Sequence, residues 1–341
     1  MIRSKKVFSL CALFLAALFV LLSCGNAGKR VLESSDTDKI VVMTVDGFDV
    51  PLELYRYLAL NYKADAERGR GSGIWTGDAG SALLAELNEN VKNSLMRLYA
   101  VLSVCRDYGI GADDPYILDA VNLKMNDVYE EAGNDYEAFA DYLKTANMTD
   151  GVYRFIVRND ILAEELMAKM SERGELPVSE AELEDIVAGP EFVRVKQILV
   201  PADNGKSEAE NEARAKELWD LAQSGLNFDD LVQKYGGDVF SFNNPDGYYV
   251  TRGIYHQAFE DAAFSLSDGE ISGIVRTDAG WSILRRYEKE AAYLADHFEE
   301  LVKDYRNGQF NRKVEEAAAG LTVTPTERLA DYTIFNLDST Y

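Results

Sequence analysis

Side chains able to do chemistry are few in this sequence. Only two histidines occur, His256 and His297, in different segments. A zinc site built on such residues lacks its ligands, and an imidazole pair for proton transfer has no second member nearby. Three cysteines are present, Cys11, Cys24 and Cys105. Cys11 falls in an N-terminal leader and Cys24 at its end, which leaves Cys105 without a partner and the fold without a disulfide framework. Cys105 lies on an apolar helical stripe and reads as a small buried hydrophobe. The stretch GRGSG, residues 69–73, resembles a phosphate-cradling loop only in its glycines, because no Gly-Lys-Ser/Thr follows it. These residues imply no cofactor and no metal.

The N-terminus places the rest of the chain in a cellular compartment. MIRSKK precedes an apolar run of 16 residues, VFSLCALFLAALFVLL, and then SCGN. That order of basic, apolar and small residues is a secretory leader, and the run falls short of the roughly 20 residues a spanning helix needs. Leu21-Leu22-Ser23-Cys24 resembles the lipobox of bacterial lipoproteins. The resemblance implies cleavage after residue 23, lipidation of Cys24, and an extracytoplasmic body anchored to a bacterial membrane. The formal net charge is -23, and it becomes -26 once Arg3, Lys5 and Lys6 leave with the leader. An acidic surface of that size repels phosphate backbones, so nucleic acid is excluded as a partner class.

The chain has 341 residues, of which 47% are hydrophobic, enough for two domains. Residues 24–38 read as a polar tether. Residues 39–175 read as a mostly helical domain. It begins with a short strand at 40–45, a turn at Asp46-Gly47 and a helix started by Pro51, followed by a glycine-rich loop at 67–80. Leu84, Leu87, Val91, Leu95, Leu98, Leu102 and Cys105 recur at steps of three and four, as on one long amphipathic helix. Further helical patterns cover 114–131, 135–146 and 149–172. Residues 176–191 read as a linker helix opened by the capping box Ser179-x-x-Glu182.

From Phe192 the pattern changes to an α+β unit: a strand at 192–200, helices at about 207–222 and 227–235, a helix near 256–264, and strands near 274–277 and 281–287. After Glu288 a helical period through Leu294, Phe298, Leu301 and Tyr305 runs to about Gly320. A lone amphipathic helix must cover its stripe somewhere, so residues 289–341 are expected to pack back on the N-terminal domain.

Residues 192–288 resemble the parvulin family of peptidyl-prolyl isomerases. The matching stretches are VRVKQILV, LAQSGLNFDDLVQKYG, PDGYYVTRG, AFEDAAFSLSDGEISGIV and TDAGWSILRR. With the leader, the helical N-domain and the returning C-terminal helix, the whole order is similar to the PrsA/SurA family of extracytoplasmic foldases. The resemblance implies a small antiparallel sheet with surrounding helices, polypeptide clients containing proline, and isomerase activity. Phe259 stands at the family's ring-packing position, Tyr255 completes that pocket, and His256 lies beside it. Asp238 aligns with a position near the reacting carbonyl, and Thr277 with the central polar network. Where the family pairs two histidines this chain has Gln197 and Ser282.

That departure leaves two readings. Rotation about an X-Pro amide breaks no bond, and its barrier is about 18–20 kcal/mol. A pocket that favours the twisted amide therefore suffices, and Gln197, Thr277 and Ser282 can form a neutral network that both donates and accepts. One reading is an isomerase with weakened activity. The other is a holdase that uses the scaffold only to bind clients.

Overall fold

The computed structural model describes residues 40–337, apart from 69, 178, 203 and 238–244. The described chain divides into two compact units. Of the described residues, 40–172 together with 313–337 make one unit, and Arg173–Arg312 make the other.

The first unit is helical around a small sheet. Strands β1 (Val41–Val45) and β2 (Phe48–Pro51) form a hairpin through Asp46 and Gly47, both at positive φ, the geometry of a tight two-residue turn. The second strand is absent from the sequence reading because four residues, one of them proline, are too few to show an alternation. Strand β7 (Val323–Pro325) pairs antiparallel with the other edge of β1, giving the order β2-β1-β7.

Helices α1 (Leu52–Glu67), α2 (Gly77–Asp107), α3 (Pro115–Glu131), α4 (Tyr136–Thr145) and α5 (Asp150–Glu172) follow. Leu87, Val91, Leu95, Leu102 and Cys105 are buried as the helical period requires, and burial pushes the Cys105 thiol up to about 12. The expected loop at 67–80 is shorter than the glycines suggest. A 3-10 turn at Ser72–Trp75 is held by the Trp75 indole donating to Glu67 at 2.7 Å, and α2 already begins at Gly77. Tail residues Ile334 and Leu337 are buried in this unit, and the Leu337 carbonyl accepts from the Arg56 guanidinium at 3.1 Å.

The second unit is built on a four-stranded antiparallel sheet of order β4-β3-β6-β5. In chain order it runs α6 (Glu180–Ala188), β3 (Val193–Pro201), α7 (Glu208–Gln223), α8 (Phe228–Tyr235), β4 (Tyr248–Val250), α9 (Gln257–Ser265), β5 (Ile271–Thr277), β6 (Gly280–Tyr287) and α10 (Ala291–Asp296). Caps set the helix starts: Ser179 for α6, a full capping box of Ser207 and Glu210 for α7, and Asn227 for α8. The last helix, α11 (Phe298–Gly320), contains the division between the units. The uninterrupted helical period expected after Glu288 is in fact broken at His297. This residue leaves helical geometry at φ −114° and stacks its ring on Tyr293 at 3.8 Å.

Both sheet faces are covered. Ile198, Val200, Trp281 and Ile283 pack on one face against Ala215 and Leu218 of α7 and Phe228 and Leu231 of α8. Val193, Val195, Tyr248, Val250 and Leu284 pack on the other against Phe259 and Ala263 of α9. Strand side chains alternate between faces, so the odd-numbered positions of β3 belong to the α9 face. Gln197 therefore lies on the side where α9 packs.

Candidate active site

Register brings the polar residues together. In the β3–β6 pairing Leu199 faces Ser282 and Gln197 faces Leu284, which makes Gln197 and Ser282 diagonal neighbours on one face. The Ser282 hydroxyl donates to Gln197 Oε1 at 2.9 Å, and Gln197 Nε2 donates to the Tyr248 hydroxyl at 2.8 Å. All three residues are buried: Ser282 is 2%, Gln197 7% and Tyr248 9% exposed. At such burial each unmade hydrogen bond would cost ~1–3 kcal/mol, so the two bonds fix the orientation of the Gln197 amide.

Thr277 is buried at the end of β5, paired with Gly280. Among the described residues no hydrogen bond joins its hydroxyl to Gln197 or Ser282, so two of the three expected network members are linked directly. Asp238 and Cys24 lie outside the described residues.

An aromatic group adjoins the polar one. The Tyr248 ring meets Tyr255 edge-on at 5.8 Å and Phe259 edge-on at 5.9 Å, and Tyr255 and Phe259 lie 5.4 Å apart. Edge-to-face pairs of this kind add ~0.5–1.5 kcal/mol each beyond area burial. Burial raises the Tyr255 phenol above its ordinary value, and the carboxylates of Asp304, Glu300 and Glu260 push the same way, so it stays neutral. His256 is exposed and caps α9: its Nδ1 accepts from the Ala258 N–H at 3.2 Å. The structure thus assigns it a local backbone task beside Tyr255.

Two further residues escaped the sequence reading. Tyr248 links the aromatic and polar groups, and only the pairing of Val195 with Tyr248 places it there. Glu260 is 5% exposed, and its carboxylate accepts from three successive backbone N–H groups: Gly253 (2.9 and 3.0 Å), Ile254 (2.8 Å) and Tyr255 (2.7 Å). A glutamate next to Phe259 in a helix has no sequence mark that separates a buried clamp from a solvated side chain. The alternation of the YYV strand could have signalled Tyr248, had its partner strand been known.

The arrangement suits amide rotation. It offers an aromatic wall for a ring, a neutral donor–acceptor chain beside it, and no described group poised as a nucleophile. Among the described residues no three or more His, Cys, Asp or Glu side chains gather to hold a metal ion. The sequence signature of the PPIC-type PPIASE domain matches residues 181–290.

Residues 181–290 are a parvulin domain.

Relatives extend the likeness beyond it. The foldase protein PrsA of Caldanaerobacter subterraneus is 26% identical over 288 residues, 80% of this chain and 81% of that one. PrsA of Bacillus subtilis is 24% identical over 157 residues, so the chain spans about half (49%) of its length. The chaperone SurA of Chromobacterium violaceum is 31% identical over 123 residues, 36% of this chain and 28% of that one. Among solved structures, PrsA of Streptococcus pneumoniae is 20% identical and covers 73% of this chain and 95% of its own, with a TM-score of 0.35. The chain is PrsA/SurA-like, and its parvulin domain is the α+β unit carrying Gln197, Tyr248, Tyr255, Phe259 and Ser282.

Proposed function

We propose that this protein is an extracytoplasmic foldase, anchored through a lipidated Cys24, whose parvulin domain accelerates cis–trans exchange of prolyl bonds in secreted polypeptides. The observation that carries this reading is the Tyr248–Tyr255–Phe259 aromatic group set directly against the Gln197–Ser282 hydrogen bond. The rings take the prolyl side chain out of water. The polar chain, with Thr277 and Asp238 on the same carried-over stations, meets the amide carbonyl as its resonance is lost. Without a titratable imidazole the rate is modest: a deficit of about 3 kcal/mol in transition-state binding is roughly a hundredfold.

The test is prolyl exchange in a tetrapeptide series with the mature chain and with Phe259→Ala. Uncatalysed exchange takes about 10–100 s. Acceleration by the parent and its loss in Phe259→Ala is the expected result; no acceleration for any residue preceding proline defeats the enzymatic reading. Cys24→Ala is expected to abolish incorporation of a lipid label.

One observation favours a holdase instead. Ser282, Gln197 and Tyr248 are hydrogen-bonded in a buried chain, which is how a polar core behaves when it braces a scaffold. In that case Phe259→Ala lowers suppression of client aggregation while exchange stays at the uncatalysed rate throughout.

A further inference from the structure

The loop before α9 is held from two sides. On one side Glu260 of α9 collects the N–H groups of Gly253, Ile254 and Tyr255. On the other side α11 reaches the same loop: Asn311 Nδ2 donates to the Gly253 carbonyl at 2.8 Å. Backbones touch here as well. A Cβ on Gly253, which sits at φ +91°, would lie 2.4 Å from the Gly308 carbonyl oxygen, and a Cβ on Gly308 would lie 2.2 Å from that of Arg252. Neither position has room for any side chain. Gly308 stands inside a helix, where glycine costs ~1 kcal/mol relative to alanine, so close approach to the loop is the physical gain that offsets it. The bracketed segment ends at Tyr255, whose ring lies 5.4 Å from Phe259.

We infer that α11 is a working part of the site, with Gly308 and Asn311 as positioning residues that act with Glu260 to hold Tyr255 against Phe259. This rests on the reading above only in taking those two rings as the prolyl pocket. Asn311 and Gly308 lie beyond residues 181–290, so the matched family domain does not contain everything that shapes its own pocket. A loosened loop widens the pocket without touching the polar chain, and so weakens ligand capture more than turnover.

The experiment compares the mature chain with Gly308→Ala and Asn311→Ala. It reads amide hydrogen exchange at 253–255, binding of a proline tetrapeptide by backbone shifts at Tyr255 and Phe259, and kcat against KM for exchange. Both variants should speed amide exchange at the loop and weaken peptide binding about tenfold, the equivalent of one lost hydrogen bond, with kcat changed less than about twofold. Gly308→Ala should also lower the melting temperature, because its Cβ would meet the Arg252 carbonyl oxygen at 2.2 Å and the gain of ~1 kcal/mol in the helix offsets only part of that clash. Asn311→Ala keeps the test decisive if Gly308→Ala fails to fold.

Unchanged amide exchange in both overturns the bracket. Faster exchange with unaltered peptide affinity overturns its role in the site, and so does a parent chain that binds no peptide at these rings. A parent that binds peptide without catalysing exchange defeats the isomerase reading alone, and the variants' affinities still decide the inference.

Discussion

Removing the Glu260 carboxylate tests how the site is held. Its two oxygens accept four hydrogen bonds from three backbone N–H groups at 2.7–3.0 Å, and the side chain is 5% exposed. Bonds to a charged acceptor contribute ~1.5–3 kcal/mol each, so three orphaned donors set an upper limit of about 5–9 kcal/mol. Residues 253–255 are only half-buried, and water can replace part of what Glu260→Ala removes. The expected loss is then about 3 kcal/mol, or roughly 10 °C in Tm for a unit of this size.

Glu260→Gln is the informative companion. Its remaining oxygen keeps the three bonds made to Oε1, while its NH2 faces the Gly253 N–H, so the loss is about 1 kcal/mol. Unfolding is followed by tryptophan fluorescence in a Trp75→Phe background, because Trp219 and Trp281 both lie in the Arg173–Arg312 unit. Two results refute the reasoning: Glu260→Ala within about 1 kcal/mol of the parent, or Gln as damaging as Ala.

Asp304 provides a pH signature. Burial, then the neighbouring Glu300 charge, raises its carboxyl from the ordinary 3.8 to about 6, against a smaller opposing effect of Lys303. A raised folded-state value means that the protonated form favours the fold: the contribution is complete below about pH 4 and lost as pH climbs through about 6. Asp304→Asn should therefore gain about 1–2 kcal/mol relative to the parent between pH 4 and pH 7.5, after discount for partial exposure; a pH-independent difference in Tm contradicts this. The Gln197 amide gives a coupling test. Tyr248→Phe and Ser282→Ala should each cost about 1–2 kcal/mol by removing one hydrogen bond from a buried amide, and adding Gln197→Leu to the double variant should recover part of that loss. No recovery in urea unfolding would show that the amide has other buried partners of equal weight.

Most elements were legible because their signals are local. The step of three and four from Leu87 to Cys105 appears as one buried face of α2, and the Ser207-x-x-Glu210 box starts α7 where it stands in the sequence. Elements without a period were hidden. Strand β2 is four residues long, β7 is three, and the break at His297 interrupts an apolar spacing that continues across it. The family motifs likewise carried Phe259 and Tyr255 to one aromatic group and Gln197 and Ser282 to one hydrogen bond.

By itself the sequence determined the succession of helices and strands, the parvulin likeness, and the presence of Gln197 and Ser282 where that resemblance implies a histidine pair. Only the tertiary structure decided what those two residues touch. Tyr248 and Ser282, both bonded to Gln197, lie 51 and 85 residues away from it, and strand register chose them. The burial of Glu260 and the seating of Gly253 against Gly308 were settled by packing between helices and a loop distant in sequence. A one-residue shift of β3 against β6 would turn Gln197 to the opposite face while leaving every local signal unchanged.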